Sequence, residues 1–320
     1  CQIIYKELNR EVFNEKGNKL IAFPDRPRYW EAWDIPLEYE NYGKELKEVE
    51  SIEIIEKGPF RGKIKIVKKY KSSLIDQYYT LYAYSQKIEV INEIKWYERR
   101  TMLRAYFPLN LNTPFAYYEV PYGIYWKPTH KNTSWEKAQF EIPVHRFIDL
   151  SQRDFGVSIL NNGKYGHSIN ENTVGITLLR SPITPDYSAD LGEHNFSYAI
   201  LPHKDSLKEL TLKESEELNR PLYTIKLSQK VSEKSLLSWE NTNVILGSLK
   251  RAENDNGIIL RFVEYLGRED MVKIHFNIPI KKAFETNLLE DIEREIPVRD
   301  STIEINIKPF EIKTIKLLYR

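Results

Sequence analysis

Apolar and polar residues alternate with period two along most of this chain, and that pattern restricts it to sheet. Lys63-Ile64-Lys65-Ile66-Val67 and Ile88-Glu89-Val90-Ile91-Asn92-Glu93-Ile94-Lys95-Trp96 show it, as do Ile303-Glu304-Ile305-Asn306-Ile307-Lys308 and Phe310-Glu311-Ile312-Lys313-Thr314-Ile315-Lys316-Leu317. Successive side chains of a strand point to opposite faces, so residues two apart build one apolar face and one wet face. Such one-sided patterning belongs to antiparallel sheets, because parallel sheets are buried on both sides. The 21 tyrosines suit half-buried pleated surfaces. Turn chemistry punctuates the runs at Lys57-Gly58-Pro59, Asn161-Asn162-Gly163, Asn254-Asp255-Asn256-Gly257 and Leu266-Gly267-Arg268. Asn-Gly pairs supply the positive φ that tight hairpins need. The expected fold is therefore all-β, built as antiparallel sandwiches.

One stretch departs from the pattern. From Asp205 to Asn219, Leu207, Leu210 and Leu218 fall near one helical face, Asp205 or Ser206 is placed to cap, and Pro221 lies beyond the end. A short helix linking two β units is predicted there. The boundary is placed near residue 225, giving a large domain over 1–225 and a smaller one over 226–320. A chain of 320 residues is one large or two ordinary domains at roughly 100–200 residues each.

Lys+Arg (47) and Asp+Glu (46) nearly cancel, so no basic excess attracts a phosphate backbone and nucleic acid is a poor partner. No run approaches the ~18 apolar residues of a membrane span, and the first residues do not read as a secretion signal. The single cysteine, Cys1, allows no internal disulfide, and a reducing, cytoplasmic compartment is expected. The absence of an initiator Met points to a cut from a longer chain. Abundant Lys, Glu and Ile with scarce Gln and Met lean towards a thermophile. Asn132-Thr133-Ser134 and Asn195-Phe196-Ser197 match the glycosylation pattern but carry little weight without a secretion signal.

The densest candidate for chemistry is Phe23-Pro24-Asp25-Arg26-Pro27-Arg28-Tyr29-Trp30-Glu31-Ala32-Trp33-Asp34. Indole faces suit the C–H face of a pyranose, and carboxylates accept from vicinal hydroxyls. The same residues equally describe an aromatic plug between sheets, with Asp25 and Arg26 as a structural pair. Asp25, Glu31, Asp34 and Glu38 are close in sequence, yet a catalytic carboxylate pair is not predicted among so many solvated acids. The six histidines (His130, His145, His167, His194, His203 and His275) show no metal spacing, and no phosphate loop or Gly-x-Ser-x-Gly is present. No catalytic residue and no metal ligand is therefore assigned within the chain. His130-Lys131-Asn132-Thr133-Ser134-Trp135 and Gly156 to Gly166 look specific in residue choice, as turn architecture or as function.

Those segments carry a family resemblance. Phe23 to Asp34 is similar to the DRPxYWDAWD stretch of family-38 α-mannosidases, and Lys127-Pro128-Thr129-His130-Lys131-Asn132-Thr133-Ser134-Trp135 to their RPTHRNTSW, with Lys for both Arg. Pro143 to Leu150, Leu160 to Gly166, Leu178-Leu179-Arg180-Ser181-Pro182 and Asp190-x-Gly192-x-His194-x-Phe196-x-Tyr198-Ala199 follow in the family's order. Lys308 to Thr314 resembles its closing strand. The resemblance implies a large antiparallel supersandwich like that of galactose mutarotase, then a smaller β-sandwich. It implies an upstream catalytic domain holding zinc and the aspartate nucleophile, with no cofactor held here. That catalytic domain is the implied partner, in an enzyme of mannose metabolism, and this region is implied to be inactive alone. Substrate-rim or interdomain roles are implied for Asp25, Arg26, Tyr29, Trp30, Trp33 and Asp34, and behind them for His130, Asn132, Trp135, Arg180, Asp190 and His194. Two other readings stand beside this one: an independent carbohydrate-binding module, and a mutarotase-like epimerase needing a His and a carboxylate in one concave pocket.

Overall fold

The computed structural model describes residues 2–207, 209–229, 234–241 and 243–319. Two compact units emerge: Cys1–Val120 with Tyr125–Pro221, and Leu222–Arg320 with Pro121–Ile124.

In the first unit a nine-stranded sheet faces a six-stranded one. The larger sheet runs, strand by strand, Gly123–Pro128, Phe115–Val120, Phe147–Ser151, Phe155–Asn161, Gly192–Lys204, Ile88–Trp96, Ser73–Tyr82, Arg61–Tyr70 and Ser51–Lys57. The smaller runs Ile142–Pro143, Gly166–Asn170, Thr173–Leu179, Thr101–Pro108, Lys19–Pro24 and Lys44–Glu45. Alternation decides the core: Ile75, Val90, Ile94, Val157, Ile159 and Ile200 from the large sheet meet Leu20, Leu103, Ala105, Phe107, Val174 and Ile176 from the small one. Each fully buried Ile, Leu, Val or Phe among them contributes about 2 kcal/mol of transfer free energy. Gly163, at φ 81°, makes the turn after Asn161 that the Asn-Asn-Gly signal predicts.

The first unit's longer helix covers Glu209–Asn219 and packs on the strand Phe155–Asn161. It begins later than the sequence predicts. Asp205 takes a left-handed φ of 64°, and its N–H still donates to the Asp154 carbonyl at 3.1 Å, so the strand end rather than a cap occupies those residues. Position 208, just before the helix, lies outside the described residues. Leu212 and Leu218 are buried, and Asn219 Nδ2 donates to the Asn161 carbonyl at 3.0 Å. The helix thus lies on the first unit's own sheet.

A second helix, Ser134–Ala138, appears where the sequence reading left only a turn. Thr133 and Glu136 close a capping box, in which Thr133 Oγ1 accepts from Glu136 N–H and Glu136 accepts from Thr133 N–H. Two otherwise orphaned donors are satisfied, which lets so short a helix form.

In the second unit a three-stranded sheet (Leu237–Trp239, Asp270–Phe276, Thr302–Ile307) packs on a five-stranded one (Val244–Arg251, Ile258–Glu264, Ile312–Tyr319, Ile280–Thr286, Ile292–Ile296). Its core joins Val272, Ile274, Ile303 and Ile305 to Leu260, Phe262, Ile315 and Leu317. Trp239 meets Phe262 edge-on at 5.3 Å. The fold is all-β with two antiparallel sandwiches, as the alternation predicts.

Candidate functional site

The segment after the strand Lys19–Pro24 is held by one side chain from a distant part of the chain. Arg180 follows the strand Thr173–Leu179 and reaches back to Asp25, with Nε and Nη2 donating to its two oxygens at 2.8 and 3.0 Å. Arg180 also donates to the backbone carbonyls of Glu31 (3.0 Å), Ala32 (3.4 Å) and Asp34. The expected pairing of Asp25 with Arg26 is not what forms. Arg26 is exposed, while buried Asp25 meets Arg180, which follows a strand two places away in the same sheet. Burial pushes the Asp25 carboxyl up, and the Arg180 guanidinium draws it back only in part.

Further bonds tighten the turn. Trp33 and Asp34 N–H donate to the Trp30 carbonyl at 2.8 and 2.9 Å, with Trp30 itself at φ 57°. The Glu31 carboxylate accepts from Ile183 N–H at 3.0 Å and pairs with Arg100, and these contacts, the backbone N–H first, hold it below the usual range. Asp190 Oδ2 accepts from the backbone N–H groups of Arg180 (2.9 Å) and Ser181 (3.2 Å), while His194 Nε2 lies 2.8 Å from the Asp190 carbonyl.

The result is a rigid turn that faces its aromatics outward. Trp30 is 73% exposed and Trp33 70%, edge-to-face at 6.3 Å, and Tyr29 beside them sits under the Arg28 guanidinium at 5.2 Å. Rings so exposed stabilise the fold little and leave flat apolar faces open. The plug reading fails for these two indoles because they lie outside the sheets.

Of the expected residues, Asp25, Tyr29, Trp30, Trp33, Asp34, Arg180, Asp190 and His194 come together around this turn. His130, Asn132 and Trp135 form a separate group at the Ser134–Ala138 helix. There Glu136 accepts from the N–H of Asn132 at 2.7 Å and lies 3.2 Å from His130 Nδ1, while Trp135 stands exposed. Sequence reasoning missed the roles of Arg100 and Glu31, because nothing local marks which arginine will lie beside which acid.

The other histidines sit in different settings. His203 Nε2 lies 2.7 Å from Asp149 Oδ2, both buried, and Asp149 also accepts from Ser158 at 2.6 Å and from Ser151. Burial holds His167 neutral, with its pKa down to about 3. His194 lines a hollow of about 280 Å³ with Asp76, Glu93 and Glu193. Its acids are engaged, Asp76 with Lys65 at 2.6 Å, Glu193 with Lys95 at 3.3 Å and Glu93 with the Tyr78 hydroxyl at 3.2 Å.

Comparison with known proteins is decisive. Residues 1–188 match the glycosyl hydrolases family 38 C-terminal domain, and residues 243–315 match the family 38 C-terminal beta sandwich domain. The chain belongs to glycosyl hydrolase family 38. This family 38 chain is 33% identical to alpha-mannosidase G of Dictyostelium discoideum over 99% of its length, covering 30% of that protein. It is 32% identical to alpha-mannosidase 2C1 of Mus musculus over 94% of its length, again 30% of the relative. It thus spans under a third of the curated relatives it matches. A crystal structure of an alpha-mannosidase from Enterococcus faecalis shares the fold, at TM-score 0.81 and 17% identity, covering 99% of this chain and 40% of that one.

Among the described residues no three His, Cys, Asp or Glu side chains converge as metal ligands. No described helix is long and apolar enough to cross a membrane.

Proposed function

We propose that this family 38 chain is the non-catalytic C-terminal region of an α-mannosidase, and that its Trp30–Trp33 turn forms part of the wall against which a mannoside lies. The upstream part of the enzyme is the partner, and it supplies the zinc and the nucleophile. The observation that carries the reading is the Arg180 clamp. One guanidinium satisfies the buried Asp25 and three backbone carbonyls, and the turn so held turns two indoles outward. The two relatives named above are alpha-mannosidases, and that supplies the substrate class.

The test is hydrolysis of p-nitrophenyl α-mannoside by the full-length protein and by a version lacking these 320 residues. Activity in the first and its loss in the second is the expected result. Full activity without these residues overturns the proposal.

A further inference from the structure

The outermost hairpin of the nine-stranded sheet, Ser51–Lys57 with Arg61–Tyr70, is strongly two-faced. Register places Ile52 opposite Ile66 and Ile54 opposite Ile64, and these in turn beside Gln77 and Tyr79. Directly opposed residues of antiparallel neighbours share a face. The four isoleucines therefore stand on the face that elsewhere packs against the six-stranded sheet. That cover stops short of them. Its last contacts are Asn18 Nδ2 donating to Gln77 (3.3 Å) and Tyr79 (2.6 Å), and Leu46, whose carbonyl accepts from Lys68. Beyond this line Ile52 is 66% exposed, Ile54 59% and Ile64 42%.

The opposite face of the same hairpin is finished for water. Lys65 pairs with Asp76 at 2.6 Å, and the Lys63 ammonium sits over the Tyr78 ring at 4.5 Å. A bulge between Ile54 and Glu56 interrupts the free edge, which blunts pairing with another strand's backbone. The side-chain face, not the edge, is what remains open. A contiguous apolar face on a hairpin whose other face is mainly charged marks a surface that a partner covers.

We infer that the isoleucine face of this hairpin is a docking surface for the upstream part of the same enzyme. The inference rests on the reading proposed above and names its partner contact. More than two thirds of each matched relative lies outside the region this chain covers, so a large partner body exists to seat there. The occupant is an apolar protein surface, shaped to two rows of β-branched side chains.

Accessibility tests it. With Cys1→Ser, Ile54→Cys puts a thiol on the apolar face and Glu53→Cys one on the charged face. Maleimide labelling is followed by peptide mass spectrometry in the 320-residue chain and in the full-length protein. The expected result is labelling at position 54 slowed at least tenfold in the full-length protein, with position 53 labelled alike in both. Equal rates at 54, or equal slowing at both positions, overturns the docking surface. So does slowing at 54 with rising concentration of the 320-residue chain, which would make a second copy the occupant. A full-length protein inactive on α-mannosides sinks the functional reading instead, whatever the labelling shows.

Discussion

Arg180 and Asp25 stand 155 residues apart in sequence and meet through two parallel hydrogen bonds of 2.8 and 3.0 Å. Planar bidentate pairing is what a guanidinium does and an ammonium does not. Arg180→Ala strands a buried carboxylate and frees three carbonyls, so the first unit should lose about 3 kcal/mol in urea unfolding. Arg180→Lys should recover only part of that loss. Adding Asp25→Asn to Arg180→Ala should restore some stability, because the unpaired charge is then gone.

The exposed indoles predict the opposite balance. Trp30→Ala with Trp33→Ala should leave stability within ~0.5 kcal/mol, as for most surface substitutions. The same pair in the full-length protein should raise KM for an α-mannoside about tenfold, or ~1.4 kcal/mol. An unchanged KM removes the turn from sugar binding.

The Thr133–Glu136 box makes a local claim. Thr133→Ala removes the acceptor for Glu136 N–H and should cost about 1 kcal/mol. Glu136→Ala should cost more, since that carboxylate also gathers Asn132 N–H, Thr133 N–H and His130. Denaturant midpoints of the two variants check the order.

His203 sets a pH dependence. Burial alone would lower its pKa, but the adjacent Asp149 carboxylate outweighs that and holds it above the ordinary value. A raised folded pKa contributes stability that is whole below the unfolded value of about 6.5 and is lost as pH rises through the folded one. The melting temperature of the first unit should therefore fall as pH climbs above about 6.5, and His203→Gln should flatten that slope. Gly156→Ala should also destabilise this spot, because a Cβ there would overlap the His203 ring.

Much of this architecture was legible because alternation is local. The run Ile88 to Trp96 is a strand end to end, and Asn254 to Gly257 turns between the strands Val244–Arg251 and Ile258–Glu264. The Ser134–Ala138 helix was not read from the sequence, although Thr133 and Glu136 stand at capping-box spacing. Nor were partners distant in sequence. Nothing near Asp25 names Arg180 over Arg26, because strand order rather than spacing decides which guanidinium lies beside it. Alternation likewise placed Ile64 and Ile66 on one face, but the register that sets Ile52 and Ile54 beside them, and the end of the opposing sheet before it reaches them, are tertiary facts.

The most direct measurement is p-nitrophenyl α-mannoside hydrolysis, with zinc present, by the 320-residue chain, by the separately produced upstream part, and by the two mixed. The chain alone should be silent, with activity that appears or rises strongly only in the mixture. Hydrolysis by the chain alone, or an upstream part equally active without it, would contradict the claim that this region is a non-catalytic but necessary part of the enzyme.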